Sequence, residues 1–144
     1  MKNNKTTARR KAREFALQYI YSWIITGSNQ EDAFNDVLYN FFEINNFRDI
    51  DKDWCKILIS GILKNCENLR NNFIPYLDRP LRSISPIEHA ILLIGSFELI
   101  EHMEIPYRVI INESVELAKS FGGTDGFKFI NGVLDKMANS IRAN

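Results

Sequence analysis

Apolar residues recur at three- and four-residue steps along most of the chain, and no segment shows the two-residue alternation of a half-buried strand. This spacing predicts six helices, at about residues 6–25, 31–41, 52–73, 86–100, 109–121 and 127–141. A segment at residues 76–83, flanked by Pro75 and Pro86, separates the third helix from the fourth. The pattern predicts an all-α fold of two packed three-helix bundles, at about residues 1–74 and 84–144, within one domain of 144 residues.

The start of the fourth predicted helix carries the clearest local signal in the chain. Ser85 occupies the N-cap position, Pro86 the first helical position, and Glu88 the position from which a side chain reaches back to complete a capping box. Two further expectations concern the third helix. Asp51 or Asp53 is expected to cap it, and Gly61 within it predicts close packing against another helix.

The first predicted helix begins with an unusual cluster of cations. Four of the five residues 9–13 are basic, and a cation near a helix N-terminus is unfavourable by about 0.3–1 kcal/mol. Six of the 18 bases precede the first acid, Glu14, so the rest of the chain has 12 bases and 18 acids. This asymmetry predicts a basic arm with a polyanionic partner. A solvated start to the chain, without a partner, is the alternative.

A second concentration of bases and aromatic rings surrounds the glycine-rich residues 122–126. Two helix caps meeting there explain the glycines, with Gly122 ending one helix and Thr124 or Asp125 capping the next; the spacing is not that of a phosphate-binding loop. The flanking bases and rings suit single-stranded RNA, whose bases stack on aromatic side chains. The alternative is that the rings belong to the core, although Phe127 and Phe129 point in nearly opposite directions on a helix.

Other classes of site find little support in the sequence. Cys55 and Cys66 are expected to be separate buried thiols, and the two histidines fit no metal-ligand spacing, so we expect no metal and no cofactor. Glu113 and Glu116 are expected to pair on the helix surface, for example Glu116 with Lys119 or Ser120, rather than to catalyse a reaction. We therefore expect no enzymatic activity. Without a membrane-spanning run or a signal sequence, we expect a cytoplasmic protein with no membrane association.

Three stretches together resemble one family. They are RRKAREFALQYIYSW at residues 9–23, PYLDRPLRSISPIEHAILLIGSFEL at 75–99, and IPYRVIINESVELAKSFGGTDGFKFINGVLDK at 105–136. All three are similar to the NusB family of bacterial transcription antitermination factors. The resemblance covers most of the chain in order and leaves only about residues 24–53 loosely matched. It implies an all-helical protein of two three-helix bundles.

The resemblance also implies a function and its partners. The family binds boxA RNA together with NusE, a small-subunit ribosomal protein, and joins the other Nus factors on RNA polymerase during ribosomal RNA transcription. Its arginine-rich motif corresponds to residues 9–13, and its RNA surface includes residues 121–129. With the bases and rings noted above, the predicted RNA-binding set is Lys2, Lys5, Arg9, Arg10, Lys11, Arg13, Lys119, Phe121, Asp125, Lys128 and Phe129. Tyr21 and Glu88 correspond to positions at or near the NusE contact.

One departure from the family pattern bears on the partner surface. The family commonly has an arginine in the fourth helix where this chain has Leu93. We expect the replacement to remove a charge near the partner face and to leave the fold unchanged. A helical protein-interaction module that does not bind RNA directly remains the alternative function.

Overall fold

A computed structural model describes residues 4–27, 49–123 and 125–142, with the backbone alone for residues 4 and 5. The described residues form six α-helices and no strand, which confirms the all-α fold class. The helices are α1 (Asn4–Thr26), α2 (Lys52–Lys64), α3 (Cys66–Phe73), α4 (Pro86–Glu101), α5 (Tyr107–Phe121) and α6 (Gly126–Ile141). Two 3-10 turns, Ile74–Tyr76 and Leu81–Ser83, lie between α3 and α4. None of the described helices is long and apolar enough to cross a membrane.

The division into two three-helix bundles stays a prediction. The second predicted helix, at about residues 31–41, lies outside the described residues. The third predicted helix is wrong as a single element, because α2 and α3 are separated at Asn65. Asn65 leaves the helical conformation at φ −117° and ψ 20°, and its side-chain Nδ2 donates to the carbonyl oxygen of Gly61 at 2.9 Å. The backbone N–H of Asn65 donates to the same carbonyl oxygen at 3.1 Å, so both groups of Asn65 bind the last turn of α2.

α4 is the central helix, and it contacts each of the other five described helices. All eleven residues 89–99 are buried, so this helix has no solvent-facing stripe along most of its length. Leu93 is among its fully buried residues. The expectation that Leu93 removes a charge near a partner face is therefore wrong, because this position lies in the core.

Helix capping follows the local sequence closely. Glu88 N donates to Ser85 Oγ at 3.1 Å, and Ser85 N donates to Glu88 Oε1 at 3.1 Å, so the predicted capping box at α4 is confirmed. Asp51 is the cap of α2, where its Oδ1 accepts from Trp54 N at 2.9 Å. Each of these side chains satisfies a backbone N–H that lacks a partner within the helix.

Two glycines allow helices to approach α4 closely. A Cβ at Gly61 of α2 would overlap the ring of Phe97, and a Cβ at Gly95 of α4 would lie 2.8 Å from Leu134 Cδ1 of α6. The Gly61 contact involves a buried ring that has little room to move. The prediction that Gly61 serves close helix packing is confirmed.

We expect Gly61→Ala to lower the free energy of unfolding, since overpacking a core costs about 1–3 kcal/mol and outweighs the gain of about 1 kcal/mol in helix propensity. Gly132→Ala is the matched control, because Gly132 is exposed in α6 and a Cβ there meets nothing within 4 Å. It should raise the free energy of unfolding. Urea denaturation monitored by circular dichroism measures both, and a stabilised Gly61→Ala variant would contradict the close-packing argument.

Candidate nucleic-acid interface

Among the residues of the predicted basic arm whose side chains the structure describes, Arg13 is the most buried, with 4% of its surface exposed. Its Nε lies 3.2 and 2.9 Å from the two carboxylate oxygens of Glu98 in α4, and its Nη1 lies 3.7 Å from Glu113 Oε1 in α5. Both acids are buried as well. Arg13 therefore joins three helices from within the core, and the expectation that it faces RNA at an exposed helix end is wrong.

Glu98 receives a third polar contact from the indole of Trp54 in α2, whose Nε1 donates to Glu98 Oε2 at 3.1 Å. Burial raises the pKa of Glu98, while the guanidinium of Arg13 and the indole N–H counteract that rise. The carboxylate is thus held by donors from two other helices. This arrangement satisfies the lone pairs of a charge that is fully removed from water.

Arg10 is half exposed and binds Glu113 in a two-pronged contact. Its Nε and Nη2 donate to the two carboxylate oxygens at 3.0 and 2.7 Å. The hydrogen bond and the charge of Glu113 raise the pKa of Arg10. Planar, bidentate pairs of this kind are among the stronger ion pairs in proteins. The exposed part of this guanidinium remains at the surface beside α5.

Arg9 of α1 contacts the start of α2 and the residue that caps it. Its guanidinium carbon is 4.0 Å from the ring centroid of Trp54, and its Nε is 3.6 Å from Asp51 Oδ2. The backbone also joins here, because Asp51 N donates to the carbonyl oxygen of Ala8 at 3.1 Å. Acids from elsewhere in the chain therefore surround the cations at the positive end of α1, which offsets their unfavourable position.

The remaining predicted cations differ in how far the structure describes them. Lys11 is partly exposed on α1. Lys2 lies outside the described residues, and Lys5 is described by its helical backbone alone. Among the arm residues with described side chains, Arg9, Arg10 and Lys11 thus keep some exposed surface.

The loop between α5 and α6 presents several of the predicted residues at the surface. Phe121 is 38% exposed, whereas Phe127 and Phe129 are partly buried against the core. Lys119 and Lys128 are exposed. Asp125 occupies the N-cap position of α6, yet its side chain makes no capping hydrogen bond. Instead its Oδ1 lies 3.8 Å from Lys128 Nζ, so the expectation that Asp125 is a side-chain cap is wrong. The alternative cap, Thr124, lies outside the described residues.

Glu116 of α5 interacts with a cation near the loop and with a cation of α1. Its carboxylate is 3.7 Å from Lys119 Nζ, which confirms the predicted surface pair, and its charge contributes to the raised pKa of Arg10. Glu113 is not on the surface, contrary to the expectation for that residue. Arg10 of α1 and Lys119 of α5 therefore both pair with acids of α5, Arg10 with Glu113 and Lys119 with Glu116.

Arg79, which was not among the predicted site residues, lies beside the loop. Its guanidinium carbon is 4.6 Å from the ring centroid of Phe129, and Asp78 accepts hydrogen bonds from its Nε and Nη2 at 2.8 and 3.4 Å. Glu88 contributes to the raised pKa of Arg79, and one of its oxygens would lie 3.4 Å from a Cβ at Gly126. Glu88 is thus next to the loop, so the predicted partner position adjoins the predicted RNA surface.

The other predicted partner residue, Tyr21, is partly buried against the core in α1. Cys55 and Cys66 are buried and unbridged as predicted, and burial raises the pKa of the Cys55 thiol to about 12. His89 accepts from Arg70 Nε at 3.1 Å, and burial lowers its pKa to about 4. No group of residues able to hold a metal ion occurs within the described ranges.

We expect Arg13→Met to lower the free energy of unfolding by about 3–5 kcal/mol, because it leaves the buried Glu98 charge uncompensated. Without Arg13, the raised pKa of Glu98 should rise further, so protonation at pH 5 should recover part of the loss seen at pH 7. Urea unfolding at both values measures this.

Lys11→Met is the matched control for Arg13→Met, since it removes a cation of the same helix from a partly exposed position. Its effect should stay within about 0.5 kcal/mol. The double variant Arg13→Met/Glu98→Gln should be more stable than Arg13→Met at pH 7. Equal unfolding free energies for Arg13→Met and Lys11→Met would contradict a structural role for Arg13.

Comparison with known proteins assigns the chain to a family. The NusB family model matches residues 10–139. Transcription antitermination protein NusB of Bordetella pertussis is 53% identical over 139 residues, which cover 96% of this chain and 90% of that protein. The proteins of that name from Thiobacillus denitrificans and Azoarcus sp. are 48% and 46% identical, each over 94% of this chain and over 91% and 86% of their own lengths.

The fold comparison agrees with the sequence comparison. The structure of T. maritima NusB superposes with a TM-score of 0.76 at 25% sequence identity, over 91% of this chain and 90% of that one. The family match covers residues 10–139, and the superposition covers 91% of the chain. This protein belongs to the NusB family.

Proposed function

We propose that this protein is a transcription antitermination factor that acts in the cytoplasm as a non-enzymatic RNA-binding adaptor. It binds boxA RNA together with NusE and joins the other Nus factors and RNA polymerase during ribosomal RNA transcription. The observation that carries this proposal is the similarity, at 44–53% identity over nearly the whole chain, to proteins named for transcription antitermination.

The surface around the loop between α5 and α6 supports RNA as the ligand. Lys119 and Lys128 provide exposed cations for phosphates, and Phe121 provides an exposed ring on which a base can stack. Arg79 over Phe129 adds a planar cation next to a second ring. In this proposal, Arg9, Arg10 and Lys11 contribute the exposed parts of their side chains, whereas Arg13 holds α1 in place.

The second candidate function is a protein-interaction module without direct RNA binding. One observation favours it: the arginines of the basic arm are already engaged with acids of this chain, Arg10 with Glu113 and Arg13 with Glu98. Cations that are paired internally release fewer counterions on binding a polyanion. RNA binding would then depend on the loop alone or be absent.

A titration of fluorescently labelled boxA-like RNA, with and without NusE over a salt series, separates the two functions. We expect weak binding by the protein alone and tighter binding with NusE, and RNA must tighten NusE binding by the same factor. Calorimetry measures that reciprocal factor. RNA affinities that are equal with and without NusE would contradict the shared platform, and no binding to RNA in either case would favour the second function.

Glu88 variants test the partner face within the same experiment. Glu88→Gln keeps the capping box that Glu88 forms with Ser85 and removes only the charge, whereas Glu88→Lys removes both. We expect NusE binding to be lost in Glu88→Lys and weakened in Glu88→Gln, with RNA binding retained. The unfolding midpoint of Glu88→Gln should match that of the wild type, which separates the contact from the cap.

Asp125→Asn tests whether the loop lies on the RNA surface. The substitution removes a negative charge that lies 3.8 Å from Lys128, and it costs little stability because Asp125 makes no capping bond. We expect tighter RNA binding, with a gain that shrinks at high salt, and an unchanged melting temperature. The RNA titration at low and high salt measures the gain. RNA affinity equal to that of the wild type at low salt would remove Asp125 and Lys128 from the RNA surface.

A further inference from the structure

A groove of about 680 Å³ runs along the protein between α5 and α6. One wall is a stripe of α5 side chains at helical spacing, namely Arg108, Asn112, Val115 and Lys119. The other is a stripe of α6, namely Phe127, Asn131 and Asp135. The residues of each stripe lie on successive turns of one helix, so the groove runs parallel to the helix axes. From Arg108 to Lys119 it extends roughly 16 Å.

Cations and aromatic rings lie at both ends of the groove. At the loop end, Lys119 and Lys128 place their ammonium groups 5.2 and 6.0 Å from the ring centroid of Phe127. At the far end, Arg108 adjoins Tyr107, with its guanidinium carbon 5.8 Å from the ring centroid. Exposed cationic side chains therefore lie at both ends of the groove, and Asp135 is the one acid among its lining residues.

The middle of the groove is lined by amides rather than by charges. Asn112 of α5 and Asn131 of α6 are both exposed there. An asparagine side chain both donates and accepts hydrogen bonds, which matches the mixed donors and acceptors on the edges of unpaired bases. Val115 and the partly buried ring of Phe127 provide apolar surface beside them. Cations for phosphates, rings for stacking and amides for base edges are thus combined in one groove.

We propose that this groove binds a short single-stranded stretch of RNA that continues from the loop surface toward Arg108. The proposal rests on the proposed RNA-binding function and extends its surface. Continuity supports it, because Lys119 and Lys128 belong both to the loop surface and to the groove. Three cations and one acid line the groove, and the acids paired with Lys119 and Lys128, namely Glu116 and Asp125, lie outside this lining. The charge inside the groove thus favours a polyanion over an acidic or neutral apolar peptide as the occupant.

The test compares two labelled RNAs, a minimal boxA-like sequence and the same sequence extended by several nucleotides at both ends. The wild-type protein is expected to bind the extended RNA about tenfold or more tightly than the minimal one, because stacking and phosphate contacts in the groove add to those at the loop. Arg108→Ala/Asn131→Ala should lose this gain and keep the affinity for the minimal RNA. Both residues are exposed, so the melting temperature should stay unchanged.

Lys56→Ala is the control for the lost charge, since Lys56 is an exposed cation of α2 outside the groove. It should retain the full gain with RNA length. An equal gain in wild type and double variant, or no gain in wild type, would overturn the groove proposal and leave the proposed function standing. A double variant that loses NusE affinity and keeps its RNA affinities would make the groove a protein-docking surface, which also overturns it. Failure of the wild type to bind either RNA would overturn both proposals.

Discussion

The ion pair between Arg13 and Glu98 is the interaction on which the arrangement of the helices depends. It removes two charges from water, and such a pair is stabilising only if its geometry and its other hydrogen bonds compensate for desolvation. Trp54 supplies one such bond, and Glu113 supplies a second acid near the guanidinium. Because the four side chains come from α1, α2, α4 and α5, an error in the register of any of these helices leaves a buried charge unsatisfied. The pair therefore selects one packing arrangement.

This constraint also shapes the surface proposed for RNA. The arginines of residues 9–13 have different positions. Arg13 points into the core, whereas Arg10 is half exposed and pairs with Glu113 of α5. Glu98 and Glu113, the partners of these arginines, lie on α4 and α5. The basic end of α1 is thereby fixed relative to α5, whose last turns carry Lys119 and lead into the loop. A mobile arm would lose more conformational entropy on binding than a surface already held in this way.

Local signals predicted most of the fold, and long-range contacts account for what they missed. The capping box at Ser85 and the helix ends near prolines depend on residues within a few positions of one another. The packing role of Gly61 was indicated by a glycine inside a helical pattern, although its partner Phe97 lies in another helix. The inward position of Arg13 was not predictable in this way, because Glu98 is 85 residues away and an arginine counts as polar in any periodicity. Arg79 was missed for the same reason, since its ring partner Phe129 is far along the chain. The break between α2 and α3 was missed because a single asparagine is a weak local signal inside a strong helical pattern.

The burial of α4 on all sides has a consequence for synthesis of the chain. Two of the helices that cover it, α5 and α6, follow it in sequence and end at Ile141, forty positions after the end of α4. Ribosomes add about 5–20 residues per second, so this interval lasts roughly 2–8 s. During it the nascent chain exposes the apolar side of α4 that later faces α5 and α6. Folding is therefore completed only after α6 has left the ribosome, and association with a chaperone or with neighbouring nascent chains competes with it until then.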